Sequence, residues 1–233
     1  MAEMPSENRG DVSWGDIVRF VRQFSHDLRN HLNAAELQSA FIVELTDNDE
    51  LKSEIKRLRE MIAECGASLQ RLTATMAPAN PTFMPYPAAD FVEDLKQKAD
   101  STGHAGKVTW EIELGDASLN IDPQLLEQAI LELFANAFHH EPGDSAPVAK
   151  AYVDKGHFIF TLSEAKKRFE LPTEKWGREP LRRVSRGHYG LGLNRVCAII
   201  EAHGGEFGAQ FDPAASVLLS TIKLPLASDE HSA

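Results

Sequence analysis

A histidine and an acidic residue stand side by side near the start of the chain, in the run Phe24-Ser-His-Asp-Leu-Arg-Asn-His31. Asp27 follows His26 directly, and Asn30 lies one helical turn further along the same face. A carboxylate can hold one ring nitrogen and stabilise the imidazolium while the other nitrogen attacks an electrophile. Asn30 could hold a water molecule or a phosphoryl oxygen. An exposed helical histidine is more often merely solvated, but this grouping favours reversible nucleophilic chemistry at His26.

A second group of polar residues and glycines lies in the C-terminal half. Glu132 and Asn136 are four positions apart in a predicted helix, so both side chains share one helix face. Gly190 and Gly192 precede another predicted helix, where backbone amides can approach phosphate groups under a favourable dipole. A bare Gly-x-Gly is weak evidence for such a site. Helix-core and cap positions are the alternative for Asn136.

Two heptad patterns between Trp14 and Met76 predict the element that carries His26. The first pattern runs Ile17, Val21, Phe24, Leu28, His31, Ala35, Gln38, Ile42, Leu45, and the second runs from Leu51 to Met76. Turn-forming residues at 46–49 separate them. The sequence therefore predicts an all-α helical hairpin with arms of roughly 40 to 48 Å. Two helices cannot bury seams this wide, so we expect a dimeric four-helix bundle.

Four prolines between Pro78 and Pro87 predict a linker and a domain boundary. The predicted organisation is a disordered N-terminus (1–13), the hairpin (14–77), the linker (78–87), a second domain (88–226) and a disordered tail (227–233). In the second domain the patterns predict helices at 90–100, 122–140 and 191–202, and strands at 107–113, 148–153, 157–162, 207–211 and 217–224. This order indicates an α/β (α+β) sandwich, a mixed sheet with helices on one face.

Composition narrows the classes of partner and compartment. The net charge is −11, which argues against nucleic acid as the main partner. Cys65 and Cys197 fit no metal motif or disulfide framework, so we expect buried thiols in a reducing, cytoplasmic compartment. We also expect no membrane partner, because the sequence shows neither a membrane-spanning apolar run nor a secretion signal.

The His26 run resembles the H-box of two-component sensor histidine kinases, in which His is followed by Asp or Glu and then by Asn or Thr. The resemblance implies that His26 is the phosphoacceptor and that Asp27 assists phosphoryl attack. It implies that Asn30 serves in dephosphorylating a response regulator. The family often has a proline where this chain has His31.

The second half is similar to the ATPase domain shared by histidine kinases, gyrases and heat-shock chaperones. Residues 122–140 resemble the N-box, and Gly190-Leu-Gly192 with the later Glu201-Ala-His-Gly-Gly205 resembles the second glycine box. The resemblance implies the histidine-kinase-type ATPase fold, Mg²⁺ at Asn136, an assisting acid at Glu132, and nucleotide phosphates at Gly190 and Gly192. It covers about residues 17–226, and we expect neither a sensor domain nor a membrane anchor.

The adenine-binding motif departs from the family pattern. Members usually carry Asp-x-Gly-x-Gly after the central strand, and the Asp binds the adenine amino group. Here Glu164 replaces the Asp, and Lys166 and Arg168 replace the glycines. Each replacement costs about 1 kcal/mol or more if those glycines need a positive φ. No phenylalanine-rich lid motif is recognisable at 170–186. We expect a damaged pocket in which ATP and Mg²⁺ binding is doubtful; residues 166–168 could instead contact phosphates or form a solvated turn.

Three functions fit these patterns. The first is a histidine phosphotransferase of a phosphorelay, which exchanges a phosphoryl group between His26 and response-regulator aspartates. The second is a soluble ATP-dependent histidine kinase that phosphorylates its own His26. The third is a non-catalytic dimeric scaffold that binds a response-regulator receiver domain. An ATP-hydrolysing domain built on Glu132 would leave His26 unused.

Overall fold

The computed structural model describes residues 13–139, 143–166, 173, 176–178 and 190–227. The chain divides into two compact units, which meet in sequence at Ala77 and Pro78. The predicted disordered ends lie outside the described residues except for Ser13 and Ala227. Ser13 caps the first helix, and the Ala227 N–H donates to the Ser118 carbonyl at 2.9 Å. Both residues therefore belong to the fold, in contrast to the prediction.

The first unit is the predicted helical hairpin. Helix α1 spans Trp14–Leu45 and helix α2 spans Asp49–Thr75. The side chain of Asn48 accepts a hydrogen bond from the Leu51 N–H at 3.1 Å, which satisfies one of the free amides at the start of α2. Across the two helices, Arg59 pairs with Glu36 at 2.7 Å.

The face of α1 that packs on α2 agrees only in part with the predicted heptad. Ser25 and Ser39 are buried there, and half-buried Ile17, Val21 and Leu28, which the heptad included, continue the same face. Phe24, His31, Ala35 and Gln38, which the pattern assigned to the seam, are exposed. Small polar residues also fit between the two helices, so apolar spacing alone does not locate the whole inner face.

A second stripe of large apolar side chains on α1 does not face α2 and is exposed in the single hairpin. We define the outer stripe as Phe20, Phe24, Phe41 and Leu45, which are 69%, 54%, 54% and 69% exposed. The Phe20 and Phe24 rings are stacked, with centroids 6.1 Å apart. Exposed apolar patches of this kind mark interaction surfaces.

The second unit is a mixed sheet with helices. Its helices are α3 (Ala88–Ala99), which continues into a π-helical turn at Asp100–His104, α4 (Pro123–His139) and α5 (Gly192–Ala202). Its strands are β1 (Met84–Pro87), β2 (Thr109–Glu113), β3 (Ser118–Ile121), β4 (Val148–Asp154), β5 (His157–Ala165), β6 (Glu206–Asp212) and β7 (Val217–Pro225). The main sheet has the order β2-β4-β5-β7-β6, with β2 and β4 parallel and the other pairs antiparallel.

The core lies between the three helices and one face of this sheet. Alternate residues of β5, Phe158, Phe160 and Leu162, are completely buried against the helices. Phe134 of α4 packs on Phe160 with ring centroids 6.2 Å apart. The predicted helix-and-sheet sandwich is thus confirmed, and β5 points its even-numbered side chains at the helices.

The proline-rich segment is not wholly a linker. Met84–Pro87 forms β1, which pairs antiparallel with β3 in a separate two-stranded sheet. Prolines 85 and 87 fit there because a two-stranded ribbon leaves one edge of β1 without ladder bonds. The prediction took the prolines as a stop signal and missed this strand.

His203 at the end of α5 fixes that helix against the start of α4. Its Nε2 accepts from the Asp122 N–H at 3.0 Å, and its Nδ1 donates to the Ile199 carbonyl at 2.7 Å. The ring is buried. This bridge helps to hold α4 and α5, the two helices that carry the predicted phosphate-site residues, in a fixed relation.

None of the described helices is both long enough and apolar enough to cross a bilayer.

Candidate functional sites

The structure brings His26, Asp27 and Asn30 together on one exposed face of α1. His26 Nδ1 lies 3.2 Å from Asp27 Oδ1, and Asn30 Nδ2 lies 3.5 Å from the same ring nitrogen. The His26 and Asp27 side chains are 66% and 54% exposed. A nucleophile on this ring is therefore accessible to a second macromolecule.

The geometry favours one ring nitrogen as the nucleophile. With its proton on Nδ1, the imidazole donates to the Asp27 carboxylate, and the lone pair is then on Nε2. The two nitrogens lie on opposite sides of the ring, so a carboxylate that holds Nδ1 leaves Nε2 open to attack an electrophile. The negative charge of Asp27 stabilises the positive charge that develops on the ring.

Gln23 completes this face and was not singled out in the sequence. Its Nε2 donates to Asp27 Oδ1 at 2.9 Å, the same oxygen that faces His26. The signal was available, because glutamine four residues before aspartate on a helix is a known stabilising pair.

The predicted phosphate-site residues of α4 and α5 also lie together. The Glu132 carboxylate lies against Gly192, where an added Cβ would collide with it. Gly192 is the first residue of α5, so the helix dipole favours a negative charge at this point. Gly190 has φ 65°, a left-handed conformation that favours glycine.

Asn136 lies one turn after Glu132 on α4. Its Nδ2 is buried and has no hydrogen-bond partner within the described part of the chain. A buried amide without a partner costs free energy, and a bound oxygen would remove that cost. No group of three or more His, Cys, Asp or Glu side chains among the described residues could hold a metal ion.

Glu164 and Lys166 form a buried ion pair at the end of β5. Lys166 Nζ lies 2.6 Å from Glu164 Oε2, and the two residues are 5% and 6% exposed. Burial raises the pKa of Glu164 above its ordinary value, and the Lys166 ammonium offsets part of that rise. The β-strand period places both side chains on the core face, a signal that the sequence analysis did not use. Arg168 lies outside the described residues.

This pair tests whether the chain fits an adenine nucleotide. The carboxylate that the resemblance assigns to the adenine amino group is neutralised by the chain's own ammonium. The buried Nδ2 of Asn136 can donate to a phosphate oxygen, but the ion pair of Glu164 with Lys166 does not suit the adenine amino group.

Comparisons with known proteins give the same picture of the fold. No protein-family model matches the chain. The chain is 23% identical over 209 residues to the sensor histidine kinase ZraS of Klebsiella oxytoca, covering 87% of this chain and 44% of ZraS. It therefore spans less than half of that relative.

Solved structures of histidine kinases share the architecture. Full-length ShkA in complex with AMPPNP matches with a TM-score of 0.65 and 17% identity, over 90% of this chain and 46% of ShkA. The nucleotide-free catalytic domain of ThkA matches with a TM-score of 0.50 and 14% identity, over 62% of this chain and 95% of that domain. The hairpin followed by the sheet domain is thus a histidine-kinase fold.

Proposed function

We propose that this chain, a histidine-kinase-like protein of the two-component type, is a phosphotransfer protein that carries a phosphoryl group on His26. The observation that carries the proposal is the exposed His26 ring, with Nδ1 3.2 Å from the Asp27 carboxylate on a long helix. Receiver domains of response regulators are the proposed donors and acceptors. A reducing, cytoplasmic compartment is part of the proposal and is consistent with free thiols at Cys65 and Cys197. Cys197 is buried as expected, whereas Cys65 is exposed, in contrast to the prediction.

The transfer needs only the residues of α1 and the incoming aspartyl phosphate. Nε2 of His26 attacks phosphorus, the N–P bond forms, and the P–O bond to the aspartate breaks. The released carboxylate keeps the bonding electrons, and the Nδ1 proton stays on the ring beside Asp27. The reverse reaction passes the group to a second receiver aspartate. Asn30, within reach of the same ring, is proposed to assist removal of phosphoryl from a receiver.

A second copy of the chain is the proposed occupant of the outer stripe. Phe20, Phe24, Phe41 and Leu45 would be buried if two hairpins formed a four-helix bundle. Burial of apolar side chains is the main favourable contribution to association of this kind. The same surface would bring two His26 helices into one particle.

The competing function is an ATP-dependent histidine kinase. The buried Asn136 amide and the contact of Glu132 with Gly192 favour it, because both lie where phosphates and Mg²⁺ would bind. The Glu164–Lys166 pair at the base position weighs against it. The two functions share His26 and differ in the phosphoryl donor.

The experiment that tests the proposal offers the chain a receiver domain carrying labelled aspartyl phosphate. The His26→Gln variant and the His31→Gln variant serve as the negative and matched controls, since His31 is another exposed histidine of α1. Label on the wild type and on His31→Gln, with none on His26→Gln, supports phosphotransfer. A scaffold would take no label, and its downstream effect would survive the loss of His26.

A further inference from the structure

We propose that Gln23 is a positioning residue for phosphoryl transfer at His26, acting through Asp27. The inference rests on the proposed function of His26 and adds a residue that neither the motif nor the comparisons assign. Gln23 does not touch the imidazole in the structure. It contacts the carboxylate that does, so its role is to hold Asp27 in the orientation that serves the ring.

Gln23 and His26 meet at a single oxygen atom. Gln23 Nε2 donates to Asp27 Oδ1 at 2.9 Å, and His26 Nδ1 lies 3.2 Å from that atom. The partner settles the orientation of the Gln23 amide, because a carboxylate oxygen can only accept and must face the NH₂ group. Asp27 is exposed and would otherwise rotate freely between side-chain rotamers. The amide removes part of that freedom.

Holding Asp27 also decides between the two tautomers of His26. Asn30 Nδ2 lies 3.5 Å from His26 Nδ1 and could donate to it only when that nitrogen carries no proton. The Asp27 carboxylate favours the opposite tautomer, with the proton on Nδ1 and the nucleophilic lone pair on Nε2. By keeping Asp27 beside Nδ1, Gln23 raises the fraction of the tautomer that can attack phosphorus from Nε2.

The expected effect is small because the bond is exposed. Glutamine–aspartate pairs at this spacing on a helix shift equilibria by about twofold. A change of that size in a rate could also come from altered helix stability. The decisive observation is therefore whether the effect of Gln23 depends on Asp27, which a double-mutant cycle measures.

The experiment times phosphoryl transfer from a labelled receiver domain to the full chain in single-turnover conditions. We expect Gln23→Ala to slow transfer about twofold in the wild-type background and to have no effect in the Asp27→Ala background, which lacks the acceptor oxygen. Gln23→Glu, which keeps the shape but replaces the donor with a repelling carboxylate, should slow transfer more than Gln23→Ala. Gln97→Ala, an exposed glutamine of α3 outside the hairpin, is the control and should not change the rate.

Nitrogen-15 NMR of the imidazole gives the second readout, which a role confined to stability would not change. Gln23→Glu should lower the fraction of His26 with its proton on Nδ1, and Gln97→Ala should not. Equal slowing by Gln23→Ala in both backgrounds, or an unchanged rate and tautomer fraction in Gln23→Glu, would overturn the inference.

The same data distinguish failure of the proposed function from failure of the inference about Gln23. A wild-type chain that takes no label from any receiver overturns the proposed function and the catalytic role of Gln23 with it, whatever the tautomer measurement shows. A wild type that takes label at His26, with a rate and a tautomer fraction insensitive to Gln23, overturns this inference alone.

Discussion

Lys166 Nζ lies 2.6 Å from Glu164 Oε2 in the interior of the second unit, at the end of β5. In the motif that this part of the sequence resembles, an acid and a glycine would stand at these two positions. The ammonium of Lys166 neutralises the acid beside it. The proposed phosphotransfer function depends in part on this relationship, because a paired Glu164 is not free to bind adenine.

Removing one partner of this buried pair should destabilise the second unit. Lys166→Met leaves Glu164 buried and unpaired, for which we expect a loss of about 3 kcal/mol in the free energy of unfolding at pH 8. The pKa of Glu164 is already raised by burial, and loss of the ammonium raises it further. Because the folded state then holds the proton more tightly, the destabilisation should grow as the pH rises above the ordinary value of 4.5.

Urea unfolding at several pH values measures this effect, and the double variant Glu164→Gln with Lys166→Met is the control. Replacing both charges leaves no ion uncompensated, so it should recover most of the lost stability. A Lys166→Met variant as stable as the wild type at every pH would show that the pair does not exist in solution.

Adenine nucleotides should bind poorly. Since Glu164 is engaged by Lys166, we expect isothermal calorimetry with Mg²⁺ and ATP to give no saturable binding below a Kd on the order of 1 mM. Asn136→Ala should not change that result. Binding in the micromolar range that Asn136→Ala abolishes would favour the kinase.

Asp122 should make the fold sensitive to acid. Burial opposes its ionisation, but hydrogen bonds from the N–H groups of Thr82, Leu125 and Gln124 outweigh burial and lower its pKa below 3.8. A carboxyl whose pKa is lower in the folded state than in the unfolded state stabilises the fold at pH values above its unfolded-state pKa. That stabilisation is lost as the pH falls through the folded-state pKa.

Asp122→Asn should therefore cost about 1 kcal/mol at pH 7, since an amide can still cap α4 but cannot also accept from Thr82. The stability difference between the wild type and Asp122→Asn should shrink below pH 3.8, and thermal unfolding measured from pH 2 to pH 7 tests this. Asp116→Asn, at an exposed position, is the matched control. A deficit that stays constant across this range would contradict the assignment.

The outer stripe should hold two copies together. We expect sedimentation equilibrium at micromolar concentration to give a dimer for the wild type and a monomer for the double variant Phe41→Glu with Leu45→Glu, since a charge in a buried apolar interface is costly. Asn33→Glu, on another exposed part of α1, should remain dimeric. A monomeric wild type would remove the four-helix bundle.

Much of the fold follows from local patterns in the sequence. The hairpin could be predicted because heptad patterns extend over both helices, which have 32 and 27 residues, and because a capping residue, Asn48, separates the two patterns. The inner face of α1 could not, because serines at 25 and 39 are buried while phenylalanines at 20 and 24 are exposed. Ile17, Val21 and Leu28 of the predicted heptad are half-buried, but which other positions of α1 join them depends on packing.

The candidate sites were also predictable from the sequence only in part. His26, Asp27 and Asn30 come together because their spacing on a helix fixes their proximity. Glu164 and Lys166 lie two apart on a strand, so a shared face was predictable, but their burial as an ion pair depends on the helices that cover β5. The strand at Met84–Pro87 depends on its distant partner β3, which no local signal identifies.

The most direct measurement of the central claim compares two phosphoryl donors on the same protein. The wild type, His26→Gln and His31→Gln are each incubated with gamma-labelled ATP and Mg²⁺, and separately with a receiver domain carrying labelled aspartyl phosphate. The account predicts acid-labile label from the receiver on the wild type and on His31→Gln, none on His26→Gln, and none from ATP. Label from ATP that requires His26 would contradict it and identify the chain as an autokinase.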